Sequence, residues 1–313
     1  MASSSRALPS FLLRRALHSV VVIVAAVVLV FMVTHVVGDP VQLLLPLEAT
    51  EEQRDQMRDS FGLNDPVLTQ FGRFVGDALQ GDLGESLWQR RPAAEVVLER
   101  LPATLLLVAS AFSVSLIAAL VLGTLAALRP GSFADKLITT TSLVGVSIPN
   151  FFLALMLVLL VAVNVKGLPT AGYGTWQHLV LPTLALAALS TGRITQIVRS
   201  SVIDEMSKPY VTAARARGAS MARTVTRHVL KNAAIPIVTL SGWELVRMLA
   251  GYMVPVEAVF SWPGVGLLAI DAVEQFDFAV IQAVVLLVAI MVVTVNFVIE
   301  LLYAWLNPRI RFG

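Results

Sequence analysis

Leu101-Pro-Ala-Thr-Leu-Leu-Leu-Val-Ala-Ser-Ala-Phe-Ser-Val-Ser-Leu-Ile-Ala-Ala-Leu-Val-Leu-Gly-Thr-Leu-Ala-Ala-Leu128 contains no Asp, Glu, Lys or Arg. A helical passage through the hydrocarbon core of a bilayer needs about 20 consecutive apolar residues, and this run is longer. Its apolar residues are continuous rather than alternating, which predicts a helix and not a barrel strand. Further runs of this kind occupy residues 16–37, 137–165, 180–198, 233–254 and 278–299. Charge enters only at Arg193 in 180–198 and at Glu244 and Arg247 in 233–254. The reading is an all-α integral membrane protein with six transmembrane helices.

Composition agrees. Of 313 residues, 57% are hydrophobic and 14% charged, and the mean hydropathy is +0.79. A soluble domain carries roughly 25% charge because its surface must meet water. A cytosolic enzyme, a nucleic-acid-binding module and a disordered chain are therefore excluded, and no nucleic-acid partner is expected. The absence of cysteine removes disulfides, thiolate nucleophiles and thiolate metal sites. His18, His35, His178 and His228 are too far apart in sequence to form a ligand motif, so no metal site is expected. Arg14 and Arg15 precede the first run, as in a signal peptide. That run exceeds the roughly 7–15 residues of a signal core, and no small-x-small cleavage site follows. It is read as a retained helix.

Charge placement sets the orientation. Arg6, Arg14 and Arg15 precede the first run, Arg129 and Lys136 follow the second, and Arg309 and Arg311 close the chain. Residues 199–231 hold seven Lys or Arg against Asp204 and Glu205. By contrast, residues 39–100 hold twelve acids against six Arg, and 256–277 hold Glu257, Asp271, Glu274 and Asp277 with no Lys or Arg. The positive-inside rule then puts the basic segments and both termini in the cytoplasm. Three regions follow: a tail and first helix (1–38), an external segment (39–100), and a five-helix core (101–313) that includes a cytoplasmic loop (200–232).

The external segment has helix punctuation. Thr50-Glu-Glu-Gln53 fits a capping box, Gly62 ends a helix, and Asp65-Pro66 starts another with Asp as its cap. Gly81-Asp-Leu-Gly84 reads as a turn, and 92–100 as an amphipathic lead into the second passage. This segment is either a cap over the bundle or a platform for an external partner. The cytoplasmic loop contains Tyr210-Val-Thr-Ala-Ala-Arg-Ala-Arg-Gly218. Pro209 suits the first turn of a short helix and Gly218 the left-handed residue after it. Ala213 and Ala214 leave little bulk, so another protein's groove has room to close around them. An ordinary positive-inside loop is the other reading.

Charge at bilayer depth is costly and faces a partner or a wet cavity. Glu244 and Arg247 are spaced i, i+3 and form either a self-satisfied pair or part of a pathway that meets a zwitterionic cargo. Arg193, near the end of its run, is expected to snorkel toward the interface, and Tyr303 and Trp305 to anchor there. Ser261-Trp-Pro-Gly-Val-Gly266 must turn, as a tight turn or a re-entrant gate. Gly145-Val-Ser-Ile-Pro-Asn150 predicts a helix kink.

The 210–218 stretch, followed by Arg227-His-Val-Leu-Lys-Asn-Ala-Ala-Ile-Pro236, resembles the cytoplasmic coupling loop of binding-protein-dependent ABC importer permeases. Gly38-Asp-Pro40, Gly81-Asp-Leu-Gly-Glu-Ser86, Glu99-Arg-Leu-Pro-Ala-Thr104, Leu181-Pro182, Val256-Glu-Ala-Val-Phe-Ser-Trp-Pro-Gly264 and Asn307-Pro-Arg-Ile-Arg311 are similar, in order, to the dipeptide/oligopeptide/nickel permeases, and most to the first of their paired subunits. The resemblance implies a type I permease fold in a prokaryotic cell membrane. It implies a second homologous permease, two ATP-binding subunits and an external substrate-binding protein. The cargo would be di- or oligopeptides, with nickel or glutathione as alternatives. Tyr210, Thr212, Ala213, Ala214, Arg215, Ala216, Arg217 and Gly218 would dock the ATPase. Glu244, Arg247, Glu257, Trp262 and Pro263 would belong to the pathway or a gate. The family pattern begins Glu-Ala-Ala where this chain has Thr212-Ala213-Ala214, so no Glu-mediated salt bridge to the ATPase is expected. No G-x-x-x-x-G-K-[ST] loop is present. ATP and Mg would bind the partners, with no cofactor and no enzyme activity in this chain. An intramembrane protease would need a motif such as H-E-x-x-H, which is absent. An ATP-independent secondary carrier would show internal repeats, and would leave the large basic loop unexplained.

Overall fold

Continuous apolar runs must satisfy their backbone groups within each segment, and helices do so here. The computed structural model describes residues 17, 20–32, 50–60 and 64–306. The expectations for Arg6, Arg14, Arg15, Gly38-Asp39-Pro40, Gly62 and residues 307–311, and for the side chains of Tyr303 and Trp305, lie outside the described residues. Helices α1 (Val20–Met32), α2 (Glu51–Ser60) and α3 (Val67–Leu79) precede the core. The core comprises α4 (Ala93–Leu128), α5 (Phe133–Ser147), α6 (Asn150–Leu157, extended by a wide turn over Val158–Ala162) and α7 (Trp176–Met206). It continues with α8 (Pro209–Ala216), α9 (Met221–Val259), α10 (Val265–Glu274) and α11 (Phe278–Leu306). Among the described residues there is no strand, only one isolated bridge between Glu85 and Pro92.

Helices α4, α9 and α11 are long and apolar enough to cross a bilayer singly, and α5 with α6 passes as one bent crossing. The count of six passages stays an expectation from the sequence. The lead 92–100 is not separate from the second passage, because both belong to the 36-residue α4. At 1.5 Å per residue α4 is roughly 54 Å long, so it projects beyond a core of about 30 Å. The predicted kink after Gly145 is a full break: α5 and α6 meet at 101°. Pro149 has no N–H and drives Ile148 into extended backbone (φ −87°, ψ 122°), so α6 starts afresh at Asn150.

Small residues bring the helices together. Helix α4 runs parallel to α7, with Ser110 bonded to Thr183 at 2.9 Å and Ser115 donating to the Ala187 carbonyl at 3.0 Å. A Cβ on Gly123 would lie 2.7 Å from the Thr195 carbonyl, so no larger residue fits between these helices. Lipid tails are as apolar as side chains, so such close van der Waals contact and interhelical hydrogen bonds hold the bundle. Leu107, Leu181, Leu186, Met248, Met253, Phe260 and Trp262 fill its largest buried cluster.

At one end, residues 84–92 clamp down on the α10–α11 turn. Ser86 Oγ donates to Asp277 (2.6 Å) and the Trp88 indole N–H to the Gln275 carbonyl (2.9 Å). This part of the 39–100 segment is a cap over the α10–α11 turn. The Thr50–Gln53 capping box is present, with its two reciprocal bonds at 3.0 and 3.3 Å. Helix α3 starts at Val67, one residue later than expected, and Asp65 does not cap it: its carboxylate is taken by Arg73 at 2.6 Å. Phe71 and Phe74 of α3 rest on Phe31 of α1.

Candidate functional site

Pro209 occupies the first turn of α8, as expected, because its missing N–H costs nothing there. Gly218, at φ +83°, closes the helix. The Gly218 N–H bonds the Arg215 carbonyl (2.9 Å) and the Ala219 N–H the Ala214 carbonyl (3.2 Å), the two bonds of a Schellman cap. One face is buried: Val211 packs with Val198 and Val202 of α7 and with Val229, Ala233 and Ile237 of α9, and Ala214, three residues on, is buried as well. Tyr210 is half-buried beside them. Thr212, Ala213, Arg215, Ala216, Arg217 and Gly218 are exposed. The expectation that both alanines serve an outside partner is thus corrected for Ala214. Ala214 is buried within its own chain.

A polar joint fixes the angle between α7 and α8. The Glu205 carboxylate accepts from Lys208 and from the Tyr210 hydroxyl (2.7 Å). Burial alone would raise the Glu205 pKa, but these two donors outweigh it and hold the group below its ordinary range. The joint's contribution is full above the ordinary carboxylate pKa and is lost as pH falls through the lower folded value. A second link ties α5 to α7: the buried Asp135 takes Arg199 on both oxygens (2.5 and 2.8 Å) and the Gly131 N–H (2.8 Å).

Helices α7 and α9 flank α8, and a groove of about 730 Å³ opens between them. Arg193, Gln196, Ile197 and Ser200 line it from α7, and Leu240, Trp243, Glu244 and Arg247 from α9. On each helix the spacing is i, i+3, i+4, i+7, a single face. Glu244 and Arg247 pair at 2.7 Å, as their spacing predicts. Arg193 does not snorkel. It bonds Glu244 (3.4 Å) and the Tyr252 hydroxyl (2.9 Å), and Ser190 donates to the other Glu244 oxygen (3.1 Å). The Arg193 guanidinium is held inside the bundle by Glu244 and Tyr252. Tyr252 closes a wide turn over Met248–Tyr252 in which Gly251 leaves helical dihedrals (φ 177°, ψ −28°).

Glu257, Trp262 and Pro263 lie elsewhere, at the α9–α10 corner. Glu257 is fully buried and accepts from Thr104 (2.8 Å) and from the backbone N–H groups of Gly266 (2.7 Å) and Leu267 (3.1 Å). Its carboxylate caps the start of α10. A Cβ on Gly264 would fall 2.3 Å from its oxygens, which explains glycine in the turn. The Trp262 indole donates to the Ala103 carbonyl (2.9 Å) and its ring meets Tyr173 edge-on. Pro263 is half-buried in the same turn. Residues 261–264 thus make a tight turn in this conformation. Replacing Glu257 by Ala strands three donors and opens a void, so we expect a loss of about 3 kcal/mol, with Gln losing less. Thermal unfolding of the detergent-purified protein measures both.

Two residues at the predicted pair, and one in the α5–α7 link, escaped the sequence reading. Ser190 and Tyr252 have no motif, and Asp135 is an ordinary helix-start acid until Arg199 is placed beside it. Arg193 carried the one available signal, a charge in an otherwise uncharged run.

Residues 119–312 match the family model described as binding-protein-dependent transport system inner membrane component. Residues 8–108 match its N-terminal counterpart among the membrane components of binding-protein-dependent transport systems. The chain is 36% identical over 304 residues to the glutathione transport system permease protein GsiC of Escherichia coli K12, covering 97% of this chain and 99% of the relative. It is 37% identical, with the same coverage, to GsiC of Salmonella paratyphi A. Among solved structures it resembles the inward-facing MetNI methionine ABC transporter, with TM-score 0.59 and 19% identity, covering 67% of this chain and 96% of that one. An amino acid ABC transporter crystallised with histidines gives TM-score 0.51 at 16% identity over 67% and 94% of the two chains. These two likenesses show the fold.

Proposed function

The chain belongs to the binding-protein-dependent transport system inner membrane components, and from that membership we propose how it works as the pathway-forming permease of an ATP-driven importer. It is a multi-pass inner-membrane permease of ABC type I fold. Two separate ATP-binding subunits hold ATP and Mg and hydrolyse the nucleotide. A second permease of similar fold completes the membrane core, and an external binding protein delivers cargo at the end capped by residues 84–92. Both termini lie in the cytoplasm, on the side of α8. The observation that carries this reading is α8 itself. It is a capped helix, buried on one face against α7 and α9 and presenting Thr212, Ala213, Arg215, Ala216 and Arg217 outward.

Closure of the ATPases on ATP moves α8. Because Val211 and the Glu205–Tyr210 joint tie α8 to its neighbours, α7 and α9 move with it. The groove between them then opens toward alternate sides, a two-state change driven through a rigid element. The cargo is a small peptide, and glutathione is the favoured one because relatives named as glutathione permeases cover nearly the whole chain. The test is affinity purification of the tagged chain from native membranes in mild detergent, followed by mass spectrometry. We expect ATPase subunits, a second permease and a binding protein. Recovery of the folded chain without an ATPase, together with uptake that needs no ATP, would overturn the reading.

A further inference from the structure

We propose that Arg193 and Arg247, which share the single carboxylate of Glu244, form a binding point for a carboxylate of the cargo. The proposal rests on the permease reading and adds a chemical class to it. Both guanidiniums reach the same oxygen, Glu244 Oε1, at 3.4 and 2.7 Å. No other acid lines the groove, so among its described residues the cations outnumber the anion by two to one. The anion is the buried partner: Glu244 has 4% of its side chain exposed, against 32% for Arg193 and 48% for Arg247. Donors left over on both arginines therefore face the groove while the acid stays behind them.

The fixing of these groups is uneven, and that too points to a ligand. Arg193 is held in place by the Tyr252 hydroxyl and lies 6.0 Å from that ring's centroid. Ser190 occupies the second Glu244 oxygen. Arg247 has Glu244 alone and is the most exposed of the three. An incoming carboxylate can take two N–H groups of Arg247 in the forked geometry that guanidinium favours. Glu244 then keeps Arg193, and the site becomes neutral, with two cations and two anions. Charge at this depth is costly when unbalanced, so the neutral complex is favoured. The groove is open and has a volume of about 730 Å³, in the range of small-ligand sites. Trp243, half exposed on the same face, reports on occupancy.

The experiment uses the complete importer in phosphatidylcholine nanodiscs. It is titrated with glutathione and its diethyl ester, and with alanyl-alanine and its C-terminal amide. The readout is the emission of Trp243, identified as the signal lost in Trp243→Phe. We expect at least one free acid to bind about tenfold more tightly than its neutral counterpart. In Arg247→Gln that preference disappears, and in Arg247→Lys part of it returns. Equal affinities of acid and neutral forms, or a preference unchanged in Arg247→Gln, would overturn the proposal. So would loss of the second permease from Arg247→Gln, which would make the arginine an interface residue. So would acid binding that appears only when phosphatidylglycerol is added, which would assign the arginines to lipid headgroups. ATP-dependent uptake by the wild-type importer is scored separately. If uptake depends on ATP while the acid preference is absent, the carboxylate site fails and the permease reading stands.

Discussion

Glu244→Ala is expected to destabilise the folded permease by about 3 kcal/mol, because it strands two guanidiniums that share one acid in a membrane-depth groove. Removing one partner of a buried charge pair costs roughly 3–5 kcal/mol, and the partial exposure of both arginines reduces that figure. Glu244→Gln keeps one oxygen to accept from the guanidiniums and turns an amide N–H toward Ser190, and should lose less. The double variant Glu244→Ala/Arg193→Met should recover part of the loss, since it removes a stranded charge together with the acid. Thermal unfolding of the purified complex in detergent gives these three values and that of Arg193→Met alone. Strictly additive single and double variants would show that Arg193 and Glu244 do not act as a unit, against the geometry described here.

The second large effect is expected at Gly218. Gly218→Val should reduce ATP-dependent uptake at least tenfold while the chain still inserts. A β-branched residue at φ +83° costs about 1–2 kcal/mol, enough to undo the Schellman bonds that end α8. No atom lies within 4 Å of a Cβ at this position, so the defect is conformational and not a clash. Asn tolerates the left-handed region, and Gly218→Asn should therefore retain most of the uptake. Equal loss in the Val and Asn variants would make the side chain, not the backbone, responsible.

These two sites differ in how much of them a linear reading reveals. Helix α8 was legible because its signals are local. Pro209 opens it, Gly218 closes it, and both act through backbone geometry within a few residues. The apolar runs were legible for the same reason, although α4 and α7 run past their apolar limits into polar sequence that still has helical partners. The break at Ile148-Pro149 was visible as an interruption, but its 101° angle follows from how α6 packs on the bundle. Arg193 was misread because its partners are Glu244 and Tyr252, 51 and 59 positions away. Its place near the end of an apolar run points to an interface, but the packing of α9 against α7 gives it partners inside the bundle. Ala214 was assigned outward with Ala213 because composition does not distinguish the two faces of a short helix. Val211 and Ala214, three apart, mark the buried face only once the rest of the chain is in place.

Helix α8 is proposed above as the contact through which ATPases drive this permease. The chain contains no cysteine, so a single Ala213→Cys places one reactive group on the exposed face of α8. A bifunctional thiol-to-amine cross-linker applied to native membranes should join this position to an ATPase subunit, in a yield that changes when ATP is added. The same reagent at Ala214→Cys, on the buried face, should give little product. Efficient labelling of Ala213→Cys with no ATPase in the product, in membranes that hold the assembled importer, would contradict the account.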